Sequence, residues 1–197
     1  MKKWAVLAVI VVVVVILLLI GMGSYNHLVT LSQATDNQWA QVQNVYQRRA
    51  DLIPNLVQTV KGSAQFEKST LEAVTNARAS VGRVTIDASH APDDAAKLQQ
   101  FQQAQGELSN ALSRLMMVSE SYPDLKSTQN FRDLQAQLEG TENRISTERG
   151  RFNDAVKAYD TAIHHLPTAL FAGMFGFRDK PYFQATESAQ TAPAVNF

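Results

Sequence analysis

The chain has 197 residues, a formal net charge of zero and no cysteine. The neutral charge gives no indication of nucleic acid as a partner, and the lack of thiols excludes disulfides, thiolate metal sites and cysteine nucleophiles. The length allows one domain together with a membrane anchor.

The N-terminal segment is apolar enough to cross a membrane. An uninterrupted run dominated by valine, isoleucine and leucine extends from Trp4 to Ile20, and residues 21–23 lengthen it without charge. About 20 helical residues, each rising about 1.5 Å, cover the roughly 30 Å hydrocarbon core of a bilayer. A cleaved signal peptide is the alternative, because Gly21 and Gly23 form a small-x-small pattern, but the run is longer than the core of such peptides. We predict a retained transmembrane helix.

The charges that flank this segment predict its orientation. Lys2 and Lys3 precede it, and no lysine or arginine follows before Arg48. Because the cytoplasmic side of a span carries the excess of basic residues, the N-terminus is expected in the cytoplasm and the rest of the chain outside. The expected location is the bacterial inner membrane, which the chain would cross once.

The next stretch shows apolar residues every three or four positions, the pattern of amphipathic helices. Pro54 interrupts the first helix, but the apolar register continues across it, which predicts a kink rather than an end. Gly62 is the better end signal, although the pattern leaves open whether the first two helices are continuous there. The second helix is predicted to use Phe66 and to reach about Ile86.

The second half of the chain predicts two further helices. Pro92, followed by two aspartates, is predicted to begin the third helix, and Tyr122 to end it. Ser127 or Thr128 is predicted to cap a fourth helix that Pro167 stops. Residues 168–197 are different, because a glycine-punctuated aromatic segment is followed by a polar tail that we expect to be a loose end.

These elements define the predicted architecture. Four amphipathic helices with short connections and no strand pattern predict an all-α protein, with an N-terminal transmembrane helix followed by an antiparallel four-helix bundle of long helices. The predicted units are residues 1–23, which include the span, residues 24–167, which form the bundle, and residues 168–197. An even number of antiparallel helices returns the chain to the membrane side. The aromatic segment is therefore expected to contact either the bilayer or the core, through Leu170, Phe171, Met174, Phe175 and Phe177.

Several blocks of sequence together resemble one protein family. They are YNHLVTLSQATDNQWAQV, QRRADLIPNLVQTVKG, SYPDLK, TENRI with FNDAVKAY, FGF, and the closing APAVNF. In this order they are similar to the LemA family of bacterial membrane-anchored helical proteins. The resemblance implies an N-terminal transmembrane helix, a four-helix bundle and a biochemical function that is not established. One departure is Gln65-Phe66-Glu67, where the family pattern leads us to expect a histidine before the glutamate.

The sequence offers no recognisable catalytic or metal-binding pattern. The motifs of serine hydrolases, zinc proteases and nucleotide-binding proteins do not occur. The four histidines lack metal-ligand spacing, and the helical glutamates lack the Glu-x-x-His motif of di-metal bundles. We therefore predict no catalytic residue, no metal and no cofactor.

A set of polar residues interrupts the apolar helices and is predicted to form a structural polar layer with a kink. Antiparallel pairing of the first and fourth helices sets Arg49 opposite Glu142, and pairing around the other turns brings Gln105 and Arg78 to about the same level. Arg49 and Glu142 fall on the apolar stripes, so burial is favoured over a solvated face. The residues of this prediction are Arg48, Arg49, Asp51, Pro54, Asn55, Gln105, Glu142 and Arg144.

Three functions remain open at this point. The first is a non-catalytic bundle of the cell envelope that contacts the lipid bilayer and assembles as a homo-oligomer or with an unidentified envelope protein. The second is a regulator of a neighbouring membrane sensor, with Pro54 as the compliant point. The third is a hydrolase that uses carboxylates of the bundle, which a cavity holding two carboxylates and no basic partner would favour.

Overall fold

The computed structural model describes residues 2–62, 67–84, 86–87 and 89–184. Throughout this part of the chain the regular secondary structure is helical, as the sequence predicts. The six helices are α1 (Lys2–Lys61), α2 (Lys68–Arg83), α3 (Ala95–Ser119), α4 (Pro123–Ser127), α5 (Gln129–His164) and α6 (Ala169–Ala172).

Helix α1 joins the apolar N-terminal segment to the folded part without a break. It contains 60 residues, which at about 1.5 Å each make it about 90 Å long. The side chains that the structure describes between Trp4 and Ile20 are exposed along the whole segment. Among the described residues, α1 is the one helix long and apolar enough to cross a membrane. It continues through Pro54 and ends before Gly62, as the apolar register and the glycine predict.

The helix boundaries depart from the sequence prediction at three places. Helix α2 ends at Arg83 and not at Ile86, and the predicted contribution of Phe66 lies outside the described residues. Helix α3 begins after Pro92, because the side chain of Asp94 caps it by accepting hydrogen bonds from two backbone amides. The short helix α4 was not predicted. Thr128 caps α5, as predicted, by accepting from the amide of Phe131.

Helix α5 lies along α1, and the two run in opposite directions. Leu28 shares a buried cluster with Ile163, and the ring centroid of Trp39 is 5.6 Å from that of Phe152. Going along α1 from Leu28 to Trp39 therefore corresponds to going back along α5 from Ile163 to Phe152. Helix α2 lies against α3, and a further buried cluster joins residues of α1, α2, α3, α4 and α5.

Residues 178–184 pack against the helices, mainly α5, which corrects the expectation of a loose tail for this part of the segment. The amide of Lys180 donates to Asp160, and Asn153 exchanges two hydrogen bonds of 2.9 Å with the backbone of Phe183. Asp160 and Asn153 are about 10 Å apart along α5, which three extended residues span. Phe183 is buried in the Trp39 cluster, and that burial fixes the segment.

Candidate functional site

Arg49 lies at the point where α1, α3 and α5 meet. Its Nη1 donates hydrogen bonds of 2.8 Å to Ser109 Oγ on α3 and to Glu142 Oε2 on α5. Its Nη2 donates to the side-chain oxygen of Gln105 and, at 3.4 Å, to the carbonyl of the same residue. The side chain is only 2% exposed. One guanidinium therefore connects three helices in the interior.

An aromatic ring packs against the guanidinium of Arg49, and its Nε–H has no hydrogen-bond acceptor among the described residues. The ring centroid of Tyr46, one helical turn earlier on α1, lies 5.2 Å from Arg49 Cζ, within the range of a cation–π contact. Burial raises the pKa of the Tyr46 hydroxyl, although Arg149 and Arg49 oppose this. Arg49 Nε is buried, and no group in the described part of the chain accepts a hydrogen bond from it.

A groove lies between α3 and α5, with Arg49 at its floor. It consists of two cavities, of about 710 Å³ and about 400 Å³, and both are lined by Arg49, Ser109 and Glu142. We call it the Arg49 groove. The larger cavity is lined by glutamines of α3, including Gln102, and by Gln184. The smaller cavity is mainly apolar, and its lining includes Leu112, Met116 and Leu138.

The Arg49 groove does not match the carboxylate cavity that the hydrolase hypothesis needs. Each cavity is lined by two glutamates, and Glu142 is common to both. Glu142 forms an ion pair with Arg49, so it is not the unpaired carboxylate that the hydrolase hypothesis needs. Within the described ranges, no group of three histidines, aspartates or glutamates is placed to hold a metal ion. Most of the other residues that line the groove have amide or apolar side chains.

Part of the predicted polar layer lies outside this arrangement. The structure brings together Arg49, Gln105 and Glu142, whereas four predicted members are exposed, namely Arg48, Asp51, Asn55 and Arg144. Glu142 itself is half exposed, with a side-chain fraction of 55%. Thr141 occupies the buried position instead. The spacing of the apolar stripe on α5 allows either residue to face inward, so the sequence pattern could not separate them.

Pro54 has a role that the sequence analysis missed. A proline in a helix has no amide hydrogen for the carbonyl four residues earlier, which here is Ala50. Arg78 Nε, on α2, donates a 3.1 Å hydrogen bond to that carbonyl. The proline therefore leaves an acceptor on α1 that α2 uses as an attachment point. The sequence signal for this contact is Arg78, which helix pairing places near Ala50, the residue whose carbonyl Pro54 leaves without a donor.

The aromatic residues after α5 divide into two groups. Phe171 packs on Gly21, since its Cε1 lies 3.4 Å from the position of an added Cβ. Phe177 lies against Tyr159 of α5, with ring centroids 6.4 Å apart. In contrast, Leu170 is 67% exposed and Met174 is 78% exposed. Phe175, which is partly exposed, contacts Tyr25 edge to face at 5.2 Å.

The described part of the chain has helices as its regular structure, and its long apolar N-terminal helix, which continues into the folded part, fits a membrane-associated helical protein. The chain belongs to the LemA family, whose family model matches residues 38–197. This match confirms the resemblance seen in the sequence blocks.

The relatives that match over most of the chain carry one name. The magnetosome proteins MamQ 1 and MamQ 2 of Paramagnetospirillum magneticum (strain AMB-1) are each 27% identical over 186 residues, covering 85% of this chain and 67% of the relative. The magnetosome protein MamQ of Magnetospirillum gryphiswaldense is 25% identical over the same share of both chains. Neither the family nor these names indicate an enzyme.

Proposed function

We propose that this protein is a single-pass protein of the bacterial inner membrane, with the N-terminus in the cytoplasm and the folded part outside. In this proposal α1, α2, α3 and α5 form an antiparallel four-helix bundle that acts as a non-catalytic scaffold. The observation that carries the proposal is the continuity of α1 from Lys2 to Lys61. A continuous helix fixes the folded part to the membrane segment without a flexible linker, as a scaffold requires.

The Arg49 groove is the face on which this scaffold holds a partner. One end of the groove already holds a segment of this chain, because residues 180–184 lie along α5 and Gln184 is part of the lining. The backbone oxygen of Gln184 accepts hydrogen bonds from Gln102 and Arg149, at 3.1 Å and 3.0 Å. Side chains of α3 and α5 therefore bind an extended backbone at one end of the groove, which supports the proposal that a polypeptide is its ligand.

Self-assembly is tested by the mass of the full-length protein in detergent, measured across a range of concentrations. We expect more than one copy per particle, because the apolar part of the groove, the cavity of about 400 Å³, favours an interface. Ser109→Trp, which fills the groove, is expected to reduce assembly, whereas Arg114→Trp on an exposed position of the same helix is expected to leave it unchanged. A monomeric mass throughout, with no other chain present, would contradict the scaffold proposal.

A co-purifying sensor protein would favour the regulatory function.

The orientation can be tested with single cysteines, because the chain has none. Gln41→Cys places a thiol on an exposed position of α1 in the bundle, and Trp4→Cys places one at the N-terminal end while keeping both lysines. A membrane-impermeant maleimide is expected to label Gln41→Cys in intact spheroplasts and Trp4→Cys only after lysis. The reverse pattern would place the bundle in the cytoplasm.

A further inference from the structure

Residues 166–177 lie beside the end of the apolar N-terminal segment. Phe171 covers Gly21, which is buried within a segment whose neighbouring side chains are exposed. Trp4 to Gly23 spans about 30 Å, the thickness of the hydrocarbon core, so Gly21 lies about 3 Å inside its outer end. A structure packed on Gly21 is therefore level with the boundary between hydrocarbon and headgroups. We call residues 166–177 the membrane-proximal collar.

The collar directs apolar side chains away from the protein. Leu166, Leu170 and Met174 are 75%, 67% and 78% exposed. Exposure of these apolar side chains to water is unfavourable. The three residues fall within nine positions of one another, on α6 and on the turns at either side of it.

Polar groups follow at the side of the collar that is nearer the bundle. His164 Nε2 and Asp179 Oδ1 are 2.8 Å apart, and Lys180 Nζ lies 2.9 Å from Asp93. The ring of Tyr25, one helical turn after Gly21 on α1, contacts Phe175 and Phe177 of the collar, with centroid distances of 5.2 Å and 5.9 Å. Aromatic residues at the boundary, with apolar residues on one side and charges on the other, are typical of a membrane interface.

We propose that the membrane-proximal collar is a second membrane-contact site, in which Leu166, Leu170 and Met174 enter the interfacial layer of the outer leaflet and bind lipid acyl chains. This rests on the proposed anchoring of α1. Contact at two points, the span and the collar, fixes the rotation of the bundle about α1 as well as its distance from the membrane. The collar thus determines which face of the bundle, including the Arg49 groove, is turned toward neighbours.

The test uses nitroxide labels on single cysteines in full-length protein reconstituted into phosphatidylcholine vesicles. Leu170→Cys and Met174→Cys report on the collar, and Val12→Cys reports on the span. Met117→Cys is the matched control, because Met117 is an equally exposed methionine, at 74%, near the end of α3. For each label we compare collision rates with oxygen, which concentrates in lipid, and with a water-soluble nickel complex.

The labels at Leu170 and Met174 are expected to give an oxygen-to-nickel ratio several-fold above that at Met117 and closer to that at Val12. Equal ratios at Met174 and Met117, with Val12 in lipid, would overturn the collar while leaving the anchor in place. A water-exposed label at Val12 would overturn the anchor itself. Spin–spin broadening at Met174 that disappears on dilution with unlabelled protein would show that a second copy covers the collar, which also overturns the lipid contact.

Discussion

Arg49 and Glu142 are 93 positions apart in the sequence, and Arg49 Nη1 lies 2.8 Å from the Glu142 carboxylate. The two partners differ in their surroundings. Arg49 is buried and has further acceptors on Ser109 and Gln105, whereas Glu142 is 55% exposed and keeps part of its hydration. The pair is therefore asymmetric, and its two halves contribute differently to stability.

Substitution of Arg49 is expected to destabilise the protein much more than substitution of Glu142. Arg49→Ala removes a buried side chain that joins three helices and leaves the polar groups around it without a donor, at a cost of about 3 kcal/mol or more. Glu142→Gln keeps an acceptor for Nη1 and should cost about 1 kcal/mol or less, as for a partly exposed pair. Chemical unfolding in detergent, followed by circular dichroism, measures both.

Arg48→Ala is the control for this comparison, because its side chain is exposed beside Arg49. It should change the free energy of unfolding by no more than about 0.5 kcal/mol. Equal losses from Arg49→Ala and Glu142→Gln would show that the carboxylate, and not the network on α3, holds the guanidinium.

Arg78 and Pro54 are expected to be energetically coupled. Arg78→Ala leaves the Ala50 carbonyl without its donor and should cost about 1 kcal/mol. In the Pro54→Ala background the helix supplies its own amide to Ala50, so the same substitution should cost much less. A double-mutant cycle of unfolding free energies measures the difference. Additive effects would mean that the proline does not create the acceptor that α2 uses.

Phe183→Ala is expected to release residues 178–184 from the helices against which they pack. The ring is buried against Trp39 and Phe152, and loss of a buried phenylalanine costs about 3 to 5 kcal/mol. Hydrogen exchange should rise at the amide of Phe183 and in the part of α5 around Phe152, which lies against Trp39. Tyr182→Ala, at the exposed neighbouring position, is the control and should raise exchange only locally. Unchanged protection in Phe183→Ala would mean that the hydrogen bonds of residues 180–184, and not the buried ring, hold the segment.

Tyr159 is expected to make the protein sensitive to alkaline pH. Burial, together with the charges of Asp93, Asp160 and Asp179, raises its pKa to about 12, although the backbone of Arg178 opposes this. In the unfolded chain the hydroxyl ionises near pH 10, as in model peptides. The unfolded state therefore loses its proton first, so stability is unaffected below about pH 10 and falls as the pH rises toward 12.

Unfolding experiments across this pH range test the assignment. Tyr159→Phe should show a smaller decrease in stability between about pH 10 and pH 12 than the unmodified chain. Tyr182→Phe should change the slope in the same direction, because partial burial and the hydrogen bond to Asp160 raise the pKa of Tyr182 to about 12. The slope with pH is the measured quantity, since the loss of each hydroxyl also changes stability at neutral pH. An unchanged slope in both variants would exclude these tyrosines as its source.

The sequence by itself determined the helical class, the apolar N-terminal helix and the family. Each rests on a property that can be read from neighbouring residues. These properties are the apolar run from Trp4 to Ile20, the spacing of apolar residues by three and four, and the end signals at Thr128 and Gly62. The opposition of Arg49 and Glu142 also followed from local information, because helix lengths and turns set the register of antiparallel neighbours.

The tertiary structure decided the features that depend on which face of a helix meets which neighbour. The apolar stripe of α5 could not separate Thr141 from Glu142 as the inward residue, because the two positions differ by only about 100° around the helix. The use of the Ala50 carbonyl by Arg78, the docking of Phe183 and the contact of Phe171 with Gly21 join segments far apart in the chain. Each is selected by packing in three dimensions, where burial decides between side chains that local spacing treats as equivalent.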